Sequence, residues 1–185
     1  FVDFWYEKVP QPRVFEWNLM HHNILNRTCV DIDGVLCLDP TEEENDDGPR
    51  YQEFLSAVKP LIIPTRRIGW LVTCRLEKYR RLTEDWLQQH GIDYDELIML
   101  DMPNKEARRQ AKPHGRFKAD VYRNVCADLF IESSKRQARE IAELTGWSVF
   151  CFDSREMLNT TDVPWTHRIE NAAREIDEFV PPSRC

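Results

Sequence analysis

The chain has 185 residues, of which 42% are hydrophobic and 31% are charged. This length suits one domain with a substantial core, or one domain with a small appendage. The formal net charge of -7 argues against general coating of nucleic acid, and no apolar run approaches the length of a membrane span. The six cysteines form neither a Cys-x-x-Cys pair nor a zinc-type spacing, so a reducing cytoplasm is the simplest setting.

The N-terminal segment, residues 1–26, is rich in aromatic side chains, and Pro10 and Pro12 interrupt any helix there. We expect an extended segment or interdomain linker that packs its aromatics onto a neighbouring surface. The chain starts at Phe1 without a methionine, so we expect it to be part of a longer protein.

The first predicted strand, Thr28–Asp33, ends in two aspartates, Asp31 and Asp33. Residues two apart in a strand point to the same face, so both carboxylates are expected at one spot. Gly34 follows at once, which allows a sharp turn or a close approach to a ligand. Two like charges held together need a divalent cation, a shared proton, or both.

An acidic segment, Asp39–Pro49, comes next; it is typical of a solvated loop, and the alternative is a flap over the site. Four further strands are predicted, at Ile68–Thr73, Leu97–Leu100, Asp128–Ile131 and Trp147–Phe152. Helices are predicted at Tyr51–Val58, Lys78–His90, Asn104–Ala111, Phe117–Cys126, Lys135–Leu144 and Ile169–Phe179.

The alternation of apolar strands with helices predicts an α/β domain over residues 27–180, with a parallel five-stranded sheet and helices on both faces. Residues 181–185 form a tail. Ligands of such sheets bind at the carboxyl ends of the strands. The Asp31/Asp33 pair, Thr73 and Glu132 all lie at predicted strand ends, so we expect them around one site.

These residues carry a resemblance to a known family. Asp31–Val35 (Asp-Ile-Asp-Gly-Val) resembles motif I of the haloacid dehalogenase (HAD) superfamily. Thr73 matches the position of its motif II, Lys118 that of motif III, and Glu132 that of motif IV, in a stretch of roughly 28–152. The resemblance implies a Rossmann-like HAD fold. The short gaps between motifs leave room only for a minimal cap, which suits a bulky phosphate or a partner domain acting as cap.

The resemblance also implies a chemistry. Asp31 would be the nucleophile and form an aspartyl-phosphate, while Asp33 would act as general acid and base. Mg²⁺ would bridge Asp31, the Asp33 backbone carbonyl and Glu132. Thr73 and Lys118 would hold the remaining phosphate oxygens. We therefore expect a magnesium-dependent phosphomonoester hydrolase, with a nucleotide or sugar phosphate as candidate substrate and with Gly34 and Arg75 as further substrate contacts.

One departure from the pattern keeps a second hypothesis open. Glu132 is followed by Ser133 and Ser134, where the family usually has a second acidic residue. A serine can ligate a metal but adds no negative charge. The alternative is a catalytically weak HAD-like module that binds a phosphorylated ligand or a partner domain.

The stretch Lys105–Lys118 is strongly basic, with Arg108, Arg109, Lys112, His114 and Arg116 inside it. One interpretation is a solvated helix face, and the other is a collar for a phosphate-rich substrate. Lys105 and Lys112 also compete with Lys118 for the motif III role.

A closer resemblance is carried by four short segments, Phe15–Asn18, Glu44–Pro49, Thr73–Tyr79 and Phe130–Ser134. They resemble the C-terminal half of bacterial proteins classed as phosphoribosyltransferases with an attached HAD-like domain. The resemblance implies a phosphoribosyltransferase domain as partner in the full-length protein. The signature of that transferase is absent from this sequence, so transferase activity cannot reside in these residues.

Overall fold

The computed structural model describes residues 15–111 and 113–159. The predicted helix Ile169–Phe179, the tail 181–185 and the first fourteen residues of the aromatic segment lie outside the described residues.

A six-stranded mixed sheet forms the centre of the fold. Its strands are β1 (Thr28–Val30), β2 (Ile68–Leu76), β3 (Tyr94–Leu100), β4 (Leu129–Glu132), β5 (Val149–Cys151) and β6 (Glu156–Leu158). They lie in the order β3-β2-β1-β4-β5-β6, with β1 to β5 parallel and β6 antiparallel to β5. The predicted α/β class is confirmed, but the described sheet has six strands rather than five. The missed strand has only three residues, too few for an alternating pattern to show in the sequence.

Five α-helices accompany the sheet in the described residues: α1 (Pro49–Ala57), α2 (Arg80–Gln89), α3 (Lys105–Ala111), α4 (His114–Asn124) and α5 (Lys135–Thr145). Helix α4 begins earlier than the predicted Phe117, directly after Pro113, whose fixed φ suits a helix start. None of these helices combines the length and the apolar character that crossing a bilayer requires.

Helices cover both faces of the sheet, as predicted. On one face, Tyr122 of α4 and Ile141 of α5 pack in a cluster with Phe130 of β4. On the other face, Trp86 of α2 joins a cluster that contains Val30 of β1. Burial of apolar surface on both sides explains why the strands have continuous apolar runs rather than alternating ones.

The described part of the segment before β1 differs from its prediction. Residues 15–27 contain two 3₁₀ turns, Glu16–His21 and Asn23–Arg27, instead of extended chain. Leu19 and Leu25 are buried in the core, which fixes the turns against the sheet. Trp17 does not pack onto the domain: it is 77% exposed and stacks on Phe15 at 5.5 Å between ring centroids.

The central strand β1 positions the site, because it pairs in parallel with β2 on one side and with β4 on the other. Val30, its last residue, is in register with Leu71 and with Ile131. The residues that follow β1 and end β4 therefore meet at the carboxyl edge of the sheet. In this strand order β1 is the point where the chain changes direction across the sheet, which is where ligands of such sheets bind.

Candidate active site

A polar cavity of about 200 Å³ opens at the carboxyl edge of the sheet. The loop after β1, the acidic segment, the end of β2 and the first turns of α4 and α5 all contribute to its wall. The lining residues are Asp31, Asp33, Asp39, Pro40, Asn45, Tyr51, Cys74, Arg108, His114, Lys118, Ser133, Ser134 and Gln137. Three of the predicted site residues, Asp31, Asp33 and Lys118, thus line one cavity, and Glu132 contacts Lys118.

Lys118 links two carboxylates at the ends of neighbouring strands: Asp31, which follows β1, and Glu132, which ends β4. Its Nζ donates to Asp31 Oδ2 at 2.7 Å and to Glu132 Oε2 at 2.6 Å. All three side chains are almost fully buried. Lys105, which competed for this role, instead donates its backbone N–H to Asp47 and its ammonium to the Asn45 carbonyl.

The charges in this cluster do not balance, since one ammonium serves two carboxylates. Burial raises the pKa of Asp31 well above its usual value, and the nearby carboxylates of Glu132 and Asp33 add to this against the opposing effect of Lys118. Burial opposes the charge on Lys118, but Asp31 and Glu132 outweigh it and raise its pKa. The cluster therefore favours an added proton or cation at Asp31. The sequence predicted this need for Asp31 and Asp33 together, but Asp33 is paired with Arg75.

Asp33 has a different partner. The guanidinium of Arg75 donates to its carboxylate, with Nη2 at 2.6 Å and Nε at 3.1 Å from Oδ1. Arg75 has no exposed side-chain surface, whereas the Asp33 side chain is 18% exposed. Arg75, predicted as a substrate contact, is therefore the buried partner that orients Asp33.

The end of β2 differs in detail from the expected arrangement. Among the described residues, Cys74 and not Thr73 lines the cavity. Thr73 is fully buried, and its hydroxyl accepts a hydrogen bond from the N–H of Arg75 at 3.2 Å. Strand β2 has a register shift between Thr73 and Leu76, and side-chain directions change at such irregularities. The phosphate-binding role of Thr73 stays a prediction.

Gly34 adopts a left-handed conformation with φ of 77°. A Cβ at this position would collide with the side chain of Ser133. The sharp turn that the sequence predicted at Gly34 is present, and the backbone of Gly34 lies close to Ser133, which follows β4.

Two further basic residues line the cavity: Arg108 of α3 and His114, the first residue of α4. Burial lowers the pKa of His114 to about 4, and the nearby Arg108 and Lys118 lower it in the same direction. His114 is therefore neutral near pH 7. The N-terminal end of α5 also reaches the cavity through Ser134, which caps that helix.

Oxygen donors for the expected Mg²⁺ are fewer than the sequence suggested. Among the described residues, no group of three or more His, Cys, Asp or Glu side chains is placed to hold a metal ion. Glu132 is committed to Lys118 and to the N–H of Ser134, while Ser133 Oγ donates to the Asp33 carbonyl at 3.2 Å.

Of the ligands that the resemblance implies, the Asp31 carboxylate and the Asp33 carbonyl remain, and the Asp39 carboxylate also lines the cavity. Mg²⁺ commonly binds to one or two protein carboxylates and completes its shell with waters and substrate phosphate. These donors fit a Mg²⁺ ion that is bound jointly by the protein, waters and a substrate phosphate, rather than one enclosed by protein ligands alone. Ligation by Glu132, Ser133 or Ser134 stays a prediction.

Several lining residues were not identified from the sequence. Asp39 and Asn45 belong to the acidic segment, so the interpretation of that segment as a flap was the relevant signal. Gln137 lies in the first turn of α5, and Tyr51 is on α1, far from any motif. No pattern in the sequence distinguished these two from ordinary helix residues.

Comparison of the chain with protein-family models, with curated proteins and with solved structures gives no match.

Proposed function

We propose that this chain is a Rossmann-like HAD-fold domain that hydrolyses phosphate monoesters with Mg²⁺ as cofactor. The observation that supports this best is the buried Asp31, which lines a polar cavity at the carboxyl edge of the sheet and is held by Lys118. A fixed carboxylate in a cavity that is also lined by the cationic Arg108 suits attack on an anionic phosphoryl group.

In the proposed reaction, a carboxylate oxygen of Asp31 attacks phosphorus, and the bond from phosphorus to the leaving oxygen breaks. Asp33, which enters this step as the carboxylic acid, gives its proton to that oxygen. Water then attacks the aspartyl-phosphate, its proton passes to Asp33, and the Asp31 carboxylate is released with inorganic phosphate. Arg75 would hold Asp33 in place through both steps, since its Nη2 and Nε lie 2.6 and 3.1 Å from Oδ1 of Asp33.

Asp31 and the Asp33 carbonyl would hold the Mg²⁺. When bound, the ion would supply positive charge that neutralises the phosphoryl oxygens.

The test is hydrolysis of an aryl phosphate with and without magnesium chloride. Asp31→Asn should lower kcat by about a thousandfold or more, because it removes the nucleophile. Asp95→Asn is the matched control, since Asp95 forms an exposed ion pair with Arg67 and is absent from the cavity lining. Equal turnover in wild type and Asp31→Asn would exclude Asp31 as the nucleophile.

A second candidate is a weakly catalytic module that binds a phosphorylated ligand. The observation that favours it is the commitment of Glu132 to Lys118, which leaves the metal donors few. Binding of inorganic phosphate without turnover across a panel of phosphate esters would select this candidate.

The proposed setting is a reducing cytoplasm, with a phosphoribosyltransferase domain as candidate partner in the full-length protein. Five cysteines in the described residues are free thiols, which suits that compartment. Co-purification of the chain with a separately expressed transferase domain would test the partner.

A further inference from the structure

Lys118 has no hydrogen-bond donor left for a substrate. A lysine ammonium has three N–H donors. In the structure its acceptors are Asp31 at 2.7 Å, Glu132 at 2.6 Å and Gln137 Oε1 at 3.3 Å. Its side chain is 2% exposed. Lys118 is therefore a residue that positions Asp31, and it cannot bind a phosphate oxygen without giving up an existing partner.

Arg75 is committed in the same way. Its Nε and Nη2 both donate to Asp33, and its Nη1 is 3.4 Å from Thr83 Oγ1. Because its side chain has no exposed surface, it cannot reach a molecule in the cavity.

Arg108 is the cavity cation with free donors. Its only side-chain hydrogen bond among the described residues runs from Nη1 to the Cys74 carbonyl at 2.7 Å. No carboxylate of the described chain lies within ion-pair distance of it, whereas its neighbour Arg109 pairs with Glu106 at 3.1 Å. A guanidinium has five N–H donors in a planar fork that matches two oxygens of a phosphate.

We propose that Arg108 binds the phosphate of the substrate, and that Lys118 serves to position Asp31. This inference rests on the proposed function, because it assigns the anion-binding residue of that same site. It also decides between the two interpretations of the basic stretch: Arg108 is a phosphate ligand, while Arg109 belongs to a solvated face.

Two observations support the assignment. Arg108 lines the same cavity as Asp31, so a phosphoryl group that meets the carboxylate enters the volume that the guanidinium borders. The cavity also receives the N-terminal ends of α4 and α5, each a helix of eleven residues, whose N–H dipoles favour an anion.

The experiment is calorimetric titration of the 185-residue chain with inorganic phosphate in magnesium chloride. Arg108→Gln should weaken phosphate binding by about tenfold or more, as expected for loss of a charge-assisted hydrogen bond. Arg109→Gln is the matched control and should bind like wild type. Arg108→Lys should lose less affinity than Arg108→Gln, because the charge remains while the fork is lost. Circular dichroism checks that each variant is folded.

Equal phosphate affinity in wild type and folded Arg108→Gln would overturn the inference, as would an equal loss in Arg109→Gln. The outcome is separable from that of the proposed function, because the titration needs no turnover. If phosphate binding depends on Arg108 but the protein hydrolyses no phosphate ester, this inference is supported and the proposed hydrolase function is excluded.

Discussion

Two buried cation–carboxylate centres lie on either side of the loop after β1, and they are built differently. In the Lys118 centre, one ammonium is shared by Asp31 and Glu132. In the Arg75 centre, one guanidinium faces the single carboxylate of Asp33. The first carries an excess negative charge, whereas the second is balanced.

The difference separates the centre of the proposed nucleophile, Asp31, from that of the proposed acid and base, Asp33. A buried carboxylate in excess of its cations is held at an energetic cost, which a proton, a metal ion or a bound electrophile relieves. A balanced buried pair offers no such relief, so in the second centre Arg75 stabilises Asp33 and fixes its position. Removal of a charge should therefore have opposite effects on stability in the two centres.

The largest effect is expected for Arg75→Met. This change leaves the Asp33 carboxylate without its partner in a largely buried position, which typically costs about 3–5 kcal/mol of folding free energy. Urea denaturation measures the difference. Arg109→Met breaks an ion pair whose arginine side chain is 73% exposed, and it should cost less than about 1 kcal/mol. Similar losses in the two variants would show that Arg75 is not a structural partner.

Asp31→Asn is expected to increase stability, in contrast to Arg75→Met. It leaves Lys118 and Glu132 as a balanced pair, so the free energy of unfolding at pH 7 should rise by about 1 kcal/mol, as is common when a strained site is relieved. Denaturant titrations of both proteins across the pH range measure this gain.

The gain should depend on pH in a defined direction. The pKa of Asp31 is raised in the folded state, so the native protein binds a proton more readily than the unfolded chain. Wild type therefore loses stability as the pH rises through that pKa, whereas the Asp31→Asn variant has no carboxyl at this position to titrate. The difference should be absent below about pH 4, the usual range of an aspartate, and should grow above it. A variant less stable than wild type at pH 7 would mean that the attraction to Lys118 outweighs burial.

The smallest effect is expected for Thr83→Val. Its hydroxyl is 3.4 Å from Nη1 of Arg75, a long contact at the periphery of the balanced centre. Loss of the hydroxyl should cost about 0.5–1 kcal/mol in urea denaturation. Thr83→Ser keeps the hydroxyl and removes the methyl group, and so measures the packing contribution separately. A loss as large as that of Arg75→Met would mean that Thr83, rather than Asp33, holds the guanidinium.

The sequence predicted the fold class well because apolar runs at strand and helix spacing report burial directly. It brought Asp31, Asp33 and Glu132 to one edge for the same reason, since the ends of parallel strands share an edge, whereas Lys118 was expected there only from the family resemblance. It did not predict the short strand β6, whose three residues are defined by pairing with β5 rather than by their own pattern.

The sequence did not predict which side chains pair with each other in the fold. Arg75 and Arg108 are both arginines in polar stretches, yet one is fully buried against Asp33 and the other faces the cavity. Arg75 lies at the register shift near the end of β2, and Arg108 of α3 donates to the Cys74 carbonyl; both features depend on contacts between residues far apart in sequence.

The contact between Gly34 and Ser133 has a consequence for redesign of the site. A natural way to strengthen metal binding is to add a carboxylate with Ser133→Asp. The Ser133 side chain already borders the space beside Gly34, and Asp39 Oδ2 lies 3.0 Å from where a Cβ on Gly34 would sit. Positions 34, 39 and 133 should therefore show epistasis, and a library that varies them together will find functional combinations that single substitutions miss.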